Sequence, residues 1–158
     1  MAITFVRGDI FLSRAPAIGI DVNARGQHED HPLALEFAGR YPAAFAAFRK
    51  QARAGNITAG EWWIWREANP WLALLVTRES GVGATRLRHV EAIAQRIAQD
   101  WQQEGLRGLA LARPGDPADW PAFRDVLLYW LGSNALRIVV YEEQVPGVRA
   151  PEPWDAGG

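Results

Sequence analysis

The sequence lacks several features that would narrow its chemistry at once. It contains no cysteine, which excludes disulfide bonds, a thiolate nucleophile and a cysteine-based zinc site. It has no apolar run long enough to cross a bilayer, and its first residues show no signal-peptide pattern. Neither sign of charge is in excess, since 17 basic and 18 acidic residues give a net charge of −1. We therefore expect no basic nucleic-acid footprint and no membrane partner, and we predict a cytoplasmic location.

Apolar residues are plentiful enough for one complete core. They make up 49% of the 158 residues, a length that suits a single domain without an internal repeat. From Gln144 onward the chain becomes rich in proline and glycine. We therefore predict a folded domain over residues 1–143, followed by a mostly extended and mobile tail over residues 144–158.

The stretch from Gly105 to Glu143 indicates how the domain is built. A short apolar run at 106–111 is typical of a strand buried on both faces, and apolar residues then recur at helical spacing from Phe123 to Leu131. A second run at 136–141 is rich in β-branched residues. A strand, helix and strand in this order predict two parallel strands, whose ligands bind at the carboxyl ends beside helix N-termini. The loop at residues 113–119 is therefore the first place to look for a site.

The remaining segments extend this pattern to an α/β fold. Four more apolar or aromatic runs predict strands at 3–7, 17–22, 61–66 and 71–77. A helix is expected to begin at Pro32, break near Tyr41-Pro42 and end by Gly55, and a second, capped by Thr85, to end at Gly105. The order of the elements implies a mixed central sheet between two layers of helices.

Several short strings, taken in order, carry a family resemblance. They are Gly8-Asp9-Ile10-Phe11 after the first strand, residues 33–37 with Arg40-Tyr41-Pro42 in the first helix, Gly55 to Gly60, the strand at 71–77, and Asp116-x-x-x-Trp120 followed by Val139-Val140-Tyr141-Glu142. Their order and spacing resemble the macrodomains, in particular the branch of the terminal ADP-ribose glycohydrolase and the antitoxin macrodomains that remove ADP-ribose from DNA. The resemblance extends to about residue 143 and implies a three-layer α/β/α sandwich that recognises ADP-ribose or a related nucleotide.

The resemblance also implies roles for particular residues. Asp9 would accept a hydrogen bond from the adenine amino group, with the backbone of Ile10 beside it, and Asn23 would approach the distal ribose. Asp116 matches the acidic residue near the anomeric carbon. The implied cleft also includes Gly81, Gly83 and Gly115. The implied partner is ADP-ribose or an ADP-ribosylated macromolecule, with nucleic acid only as a modified substrate, and no cofactor or metal is expected.

Three departures from the family pattern bear on catalysis. The first glycine-rich loop is replaced by Gly26-Gln27-His28-Glu29-Asp30-His31-Pro32, and its two carboxylates would repel a pyrophosphate. The second glycine-rich loop is reduced to Pro114-Gly115. Arg78 follows Thr77 where the branch has a catalytic lysine, and an arginine remains protonated and forms no covalent adduct.

The departures leave two functions open. An ADP-ribosyl glycohydrolase would need Asp116 to position a water and Arg78 to stabilise the leaving group. A degenerate, non-catalytic macrodomain would instead bind a protein or serve a structural role.

Each candidate residue also has a purely structural interpretation. Asp9 could bond nearby backbone amides in a turn, and Asp116 could cap a helix that begins at Pro117. The polar residues at 28–31 suggest metal ligands, but a solvated charged loop is the simpler interpretation. The tryptophans at 62, 63 and 65 could anchor a partner, although helices on both faces of a sheet would bury them.

Overall fold

The computed structural model describes residues 3–28 and 31–154. Its strands are β1 (Ile3–Gly8), β2 (Ala17–Asn23), β3 (Trp62–Trp65), β4 (Trp71–Arg78), β5 (Leu109–Ala112) and β6 (Ile138–Gln144). Its helices are α1 (Pro32–Arg40), α2 (Pro42–Arg53), α3 (Leu87–Glu104) and α4 (Trp120–Leu131). A short 3-10 helix at Ile10–Leu12 follows β1.

The strands form one six-stranded sheet in the order β1-β6-β5-β2-β4-β3. All neighbouring strands run parallel except β3, which pairs antiparallel with β4 at one edge. Strands β5 and β6 are parallel neighbours joined through α4, as the unit between Gly105 and Glu143 predicts. The prediction of an α/β fold with a mixed sheet is therefore confirmed.

Two apolar cores lie on opposite faces of this sheet. In β4 the side chains alternate, so that Leu72, Leu74 and Val76 pack with α1 and α2 while Ala73 and Leu75 pack with α3 and α4. Full burial of a leucine is worth roughly 1.5–3 kcal/mol, so both cores contribute substantially to stability. The predicted three-layer α/β/α arrangement is the one observed.

Close packing in the centre of the sheet depends on a glycine in β2. A Cβ added at Gly19 would lie 2.6 Å from the carbonyl oxygen of Ala73 and 2.9 Å from a methyl carbon of Leu111. Because these distances are well below van der Waals contact, β2 needs a residue without a side chain at this point.

The helix boundaries agree with the sequence at some points and correct it at others. The expected break at Tyr41-Pro42 separates α1 from α2, and Gly105 ends α3 with a left-handed φ of 82°. Thr85 does not cap α3, whose N-cap is Arg86, because the Thr85 hydroxyl faces Asp21.

The capping role considered for Asp116 is also wrong. Helix α4 begins at Trp120 with Asp119 as its N-cap, so Pro117 lies before the helix. The carbonyl oxygen of Asp116 accepts a hydrogen bond from the Asp119 N–H at 3.1 Å and closes a turn. The Asp116 side chain is exposed and free of a capping role.

Residues 144–154 pack against the domain, and the mobility that the sequence predicts for them stays a prediction. Strand β6 extends to Gln144, and the chain then packs on the turn after β1, with the Val145 N–H donating to Gly8 at 2.9 Å. Glu152 is buried and accepts hydrogen bonds from the Ser13 hydroxyl and the Tyr141 hydroxyl at 2.7 and 2.8 Å. The domain boundary at residue 143 stays a prediction, and residues 155–158 lie outside the described part of the chain.

In the described ranges, none of the helices has both the length and the apolar character that a bilayer crossing requires.

Candidate ligand cleft

A cleft of about 390 Å³ opens at the carboxyl ends of β5 and β6, beside the start of α1. Its described lining residues are His31, Pro32, Leu33, Ala112, Arg113, Gly115, Asp116, Tyr141, Glu142, Glu143 and Gln144. The cleft lies where ligands of parallel sheets usually bind. The loop at residues 113–119, expected to border a site, supplies three of these residues.

A smaller cavity of about 80 Å³ adjoins this cleft, and both share His31, Gly115 and Asp116. It is further lined by Asp21, Arg78, Gly83, Ala84 and Thr85. Asp116 and Arg78 therefore border the same cavity, as the sequence hypothesis requires. Their catalytic roles stay a prediction.

Asp21 is one of the site residues that sequence reasoning missed, together with Arg113 and Gln144. Its side chain is 1% exposed, and Oδ2 accepts hydrogen bonds from the Thr77 and Thr85 hydroxyls at 3.1 and 3.4 Å and from the Gly115 N–H at 3.4 Å. Within the described ranges Oδ1 is buried without a hydrogen-bond partner. The sequence does mark Asp21, because it is the single charged residue in the predicted buried strand Ala17–Asn23. A buried charge is costly unless it is paired, so a carboxylate at such a position indicates a role.

His31 faces this carboxylate in a defined tautomer. Its Nδ1 accepts a hydrogen bond from the Ala34 N–H at 3.1 Å and caps α1, so the neutral ring carries its proton on Nε2. Nε2 lies 3.9 Å from Asp21 Oδ1 across the wall of the cavity. His31 can therefore present a proton to the cavity.

The predicted polar loop at 28–31 divides into different environments. His28 is buried and meets the Phe45 ring edge-on, with 4.9 Å between the ring centres, whereas His31 reaches the cavity. Glu29 and Asp30 lie outside the described residues. Over the ranges 3–28 and 31–154, no cluster of three or more histidine, aspartate or glutamate side chains is arranged to hold a metal ion.

Asp9 is almost fully buried and bonded within the chain. Its Oδ1 accepts hydrogen bonds from the Phe11 N–H at 3.0 Å and the Gln144 amide at 2.8 Å, and Oδ2 accepts one from the Gly147 N–H at 2.9 Å. Burial raises the pKa of Asp9, but these hydrogen bonds outweigh it and the pKa is lowered. The turn interpretation accounts for the Phe11 contact only, because Gln144 and Gly147 are remote in the sequence. The adenine role of Asp9 stays a prediction.

The backbone of Ile10 lies beside Asp9, as expected, and its N–H donates to the Gln144 side-chain oxygen at 3.0 Å. Asn23 is fully buried and borders neither cavity. Its Oδ1 accepts from the backbone N–H groups of Arg25 and Gln27 at 3.1 Å, and its amide donates to the Gln27 carbonyl. Asn23 thus holds its own turn, and its predicted approach to a ribose is untested.

The three predicted glycines use their N–H groups internally. Gly81 donates to the Gln27 side chain at 2.9 Å, Gly83 to the Ser80 carbonyl at 3.2 Å, and Gly115 to Asp21 at 3.4 Å. Gly83 and Gly115 border the smaller cavity, whereas Gly81 is not among its described lining residues. The N–H groups of these three glycines are therefore already engaged and do not form an anion nest.

Two arginines supply positive charge along the cleft. Arg113 lines the larger chamber and Arg78 the smaller, and in the described part of the chain the buried Nε of each has no hydrogen-bond partner. The larger chamber also carries the carboxylates of Asp116, Glu142 and Glu143. An anionic ligand would therefore depend on side chains, because the glycine amides are occupied.

Comparison with solved structures places this arrangement in a known fold. The macrodomain of Thermus aquaticus DarG is 23% identical and superposes with a TM-score of 0.79, covering 89% of this chain and 97% of that one. The Mycobacterium tuberculosis DarG macrodomain is 20% identical, with a TM-score of 0.79 and coverage of 88% and 96%. Thermosipho africanus DarTG, solved in complex with ADP-ribose, is 18% identical, with a TM-score of 0.81 and coverage of 94% and 43%. No protein-family model and no curated protein matches the chain. The likeness to solved structures confirms the resemblance inferred from the sequence: this chain has the macrodomain fold.

Proposed function

We propose that this chain recognises ADP-ribose or a related nucleotide in its two-chambered cleft. The observation that carries the proposal is the pair of adjoining cavities at the strand ends, each lined by an arginine. A ligand with sugar and phosphate groups matches this arrangement, because guanidinium groups bind phosphate and carboxylates accept from hydroxyl groups. Thermosipho africanus DarTG, which shares the fold, was solved with ADP-ribose.

The smaller chamber suits the ribose end of such a ligand. Asp21 Oδ1 is a buried acceptor without a partner in the described structure, and Asp116 adds an exposed carboxylate. Vicinal hydroxyl groups of a ribose would satisfy both acceptors, while Arg78 would meet the adjoining phosphate. Leaving a buried acceptor unsatisfied costs about 1–3 kcal/mol, so a hydroxyl donor at Asp21 would bind favourably.

Titration calorimetry with ADP-ribose tests recognition directly. We expect measurable heat for the unmodified chain and roughly 10- to 100-fold weaker binding for Arg78→Ala, the usual range for a lost charge-assisted hydrogen bond. Arg96→Ala is the matched control, because Arg96 is an exposed residue of α3 that does not line either cavity. The absence of heat at millimolar ADP-ribose would contradict the proposal.

Hydrolysis of an ADP-ribosyl bond is the finer part of the proposal. Asp116 would position or deprotonate a water, and the permanently charged Arg78 would stabilise the leaving group, a route that needs no lysine. We expect release of ADP-ribose from ADP-ribosylated DNA or protein, with Asp116→Ala inactive but still able to bind. If ADP-ribose binds and no substrate is cleaved, the catalytic part fails and recognition stands.

A degenerate, non-catalytic macrodomain is the second candidate, favoured by the edge strand β3. Trp62, Trp63 and Trp65 are only partly buried there, and Trp63 stacks between Phe48 and Trp65. Partly exposed aromatic side chains on a sheet edge can anchor a partner or a second copy. Light scattering after size-exclusion, with Trp63→Ala and Trp65→Ala for comparison, tests self-association. A monomer in every form would exclude an aromatic self-interface.

A further inference from the structure

One side chain satisfies two polar groups at the end of β1. The Gln144 Oε1 accepts a hydrogen bond from the Ile10 N–H at 3.0 Å, and its Nε2 donates to Asp9 Oδ1 at 2.8 Å. The Gln144 carboxamide thus bridges the Asp9 carboxylate and the Ile10 N–H, which belong to consecutive residues. Asp9 and Ile10 are 135 and 134 positions from Gln144 in the sequence. Both bonds have lengths typical of good hydrogen bonds.

The same acceptor–donor pair is suited to a particular ligand edge. A carboxylate oxygen beside a backbone N–H pairs with any group that carries a donor next to an acceptor. Adenine presents such an edge, because its exocyclic amino group lies beside a ring nitrogen that accepts. A primary carboxamide presents the same alternation at nearly the same spacing, which is also why glutamine and asparagine bind adenine in a bidentate manner.

Gln144 stands between this pair and the cleft. It lines the larger chamber, whereas neither Asp9 nor Ile10 is among the described residues that do so. The following segment fixes its backbone, since the Val145 N–H donates to Gly8 at 2.9 Å and the Gly147 N–H to Asp9 at 2.9 Å. A ligand in the cleft can reach Asp9 and Ile10 only if the Gln144 side chain moves aside.

We infer that Gln144 is an internal substitute for an adenine edge and sets the ligand specificity of the cleft. The unmodified chain binds its ligand through the ribosyl phosphate portion, and the base contributes little affinity because its hydrogen-bonding position is already filled. The inference rests on the proposed function, since it assumes that the cleft takes a nucleotide. It assigns to Gln144 a role that the Asp9 and Ile10 motif alone would not suggest.

Two variants separate the hydrogen bonds of Gln144 from its bulk. Gln144→Ala removes the carboxamide and opens the path from the cleft, whereas Gln144→Met removes the hydrogen bonds and retains a side chain of similar length. We expect Gln144→Ala to bind AMP and ADP-ribose on the order of tenfold more tightly than the unmodified chain, because two intramolecular hydrogen bonds no longer compete. Gln144→Met should remain near the unmodified affinity because its side chain still blocks the path.

Two related ligands, IMP and ribose 5-phosphate, show whether a gain in affinity of Gln144→Ala comes from the adenine base. IMP reverses the adenine pattern, with a carbonyl oxygen beside a ring N–H, so Gln144→Ala should gain no affinity for IMP. Ribose 5-phosphate has no base, and its affinity should be equal in all forms. Thermal unfolding confirms that each variant is folded, and the Ile10 amide resonance should shift when AMP is added to Gln144→Ala but not when IMP is added.

The outcomes distinguish this inference from the proposed function. If the unmodified chain binds ADP-ribose and Gln144→Ala binds AMP no better, the inference is overturned and the proposed function stands. If Gln144→Ala binds AMP and the unmodified chain binds neither ADP-ribose nor ribose 5-phosphate, the blocking role of Gln144 stands and nucleotide recognition by the unmodified chain is refuted. If no form binds AMP, ADP-ribose or ribose 5-phosphate, both are refuted.

Discussion

The buried carboxylate of Glu152 should contribute strongly to the stability of the whole domain. Its Oε2 accepts from the Ser13 and Tyr141 hydroxyls at 2.7 and 2.8 Å, and its Oε1 accepts from the Arg14 N–H and the Trp154 indole at 2.9 and 3.0 Å. The side chain therefore connects the 144–154 segment to the turn after β1. Replacement by alanine removes the acceptor from four donors at once.

The expected loss follows from the surroundings of these donors. Losing a hydrogen bond to a charged group costs about 1.5–3 kcal/mol, and Glu152 is 6% exposed. Ser13, Arg14 and Trp154 are at least partly exposed, so water can replace part of what they lose. We therefore expect Glu152→Ala to lower the free energy of unfolding by about 3 kcal/mol, or roughly 6–12 °C in Tm for a domain of this size. Glu152→Gln keeps one acceptor oxygen and should lose about half as much.

Urea and thermal unfolding measure this effect. Glu143→Gln is the control, because its exposed ion pair with Arg7 at 3.3 Å should contribute no more than about 1 kcal/mol. If Glu152→Ala were as stable as Glu143→Gln, these hydrogen bonds would not hold the segment at 144–154. That result would support the mobile tail that the sequence predicts.

Three further substitutions test other features. The folded-state pKa of Asp9 lies below its ordinary value of 3.8, so the Asp9 carboxylate stabilises the fold above pH 3.8 and this contribution is lost as the pH falls through the folded pKa. Asp9→Asn should therefore be less stable than the unmodified chain at pH 7, and the difference in unfolding free energy should shrink below about pH 4. A constant difference in urea titrations from pH 7 to 3 would contradict the reasoning. Gly19→Ala should lose about 1–3 kcal/mol of unfolding free energy, because its Cβ would lie 2.6 Å from the Ala73 oxygen. Gly39→Ala changes an exposed position of α1, where the added carbon would meet no atom beyond its own helix within 4 Å in the described structure. It should instead gain roughly 0.5–1 kcal/mol of unfolding free energy, and an equal effect at both glycines would refute the steric argument.

The fold was predictable because its signals are local. Apolar runs mark the buried parallel strands, and the prolines at 32 and 42 each lie at the start of a helix. The sequence analysis missed the start of α4 because two similar signals occur close together. Asp116 is followed directly by Pro117, and Asp119 is followed by Pro121 with one residue between them. Helix α4 begins at the second, where Trp120 is buried and its indole donates to Glu142 at 2.9 Å.

The site was only partly predictable because polar contacts between distant residues leave no local pattern. Arg78 ends β4, and Gly115 and Asp116 follow β5. These two parallel strands lie on either side of β2, so their carboxyl ends meet at the same edge of the sheet and the three residues border one cavity. A polar residue at a strand end can face the cleft or its own turn. Hydrogen-bond partners that are distant in the sequence decide between the two. Gln144 engages Asp9 across 135 positions, and no periodicity in the sequence records such a pair.

The placement of β1 has a consequence for synthesis of the chain. Strand β1 lies at the edge of the sheet, and its neighbour is β6, with Ile3 paired to Ile138. On a ribosome β1 emerges before the other five described strands, and its partner β6 is the last of the six to appear. The backbone N–H and C=O groups of β1 therefore stay without a ladder while the four strands between them are synthesised. Pairings between such distant segments slow folding, and an unpaired strand favours association with other chains. This protein should therefore depend more on chaperones during translation than a domain of equal length whose first strand pairs with its second.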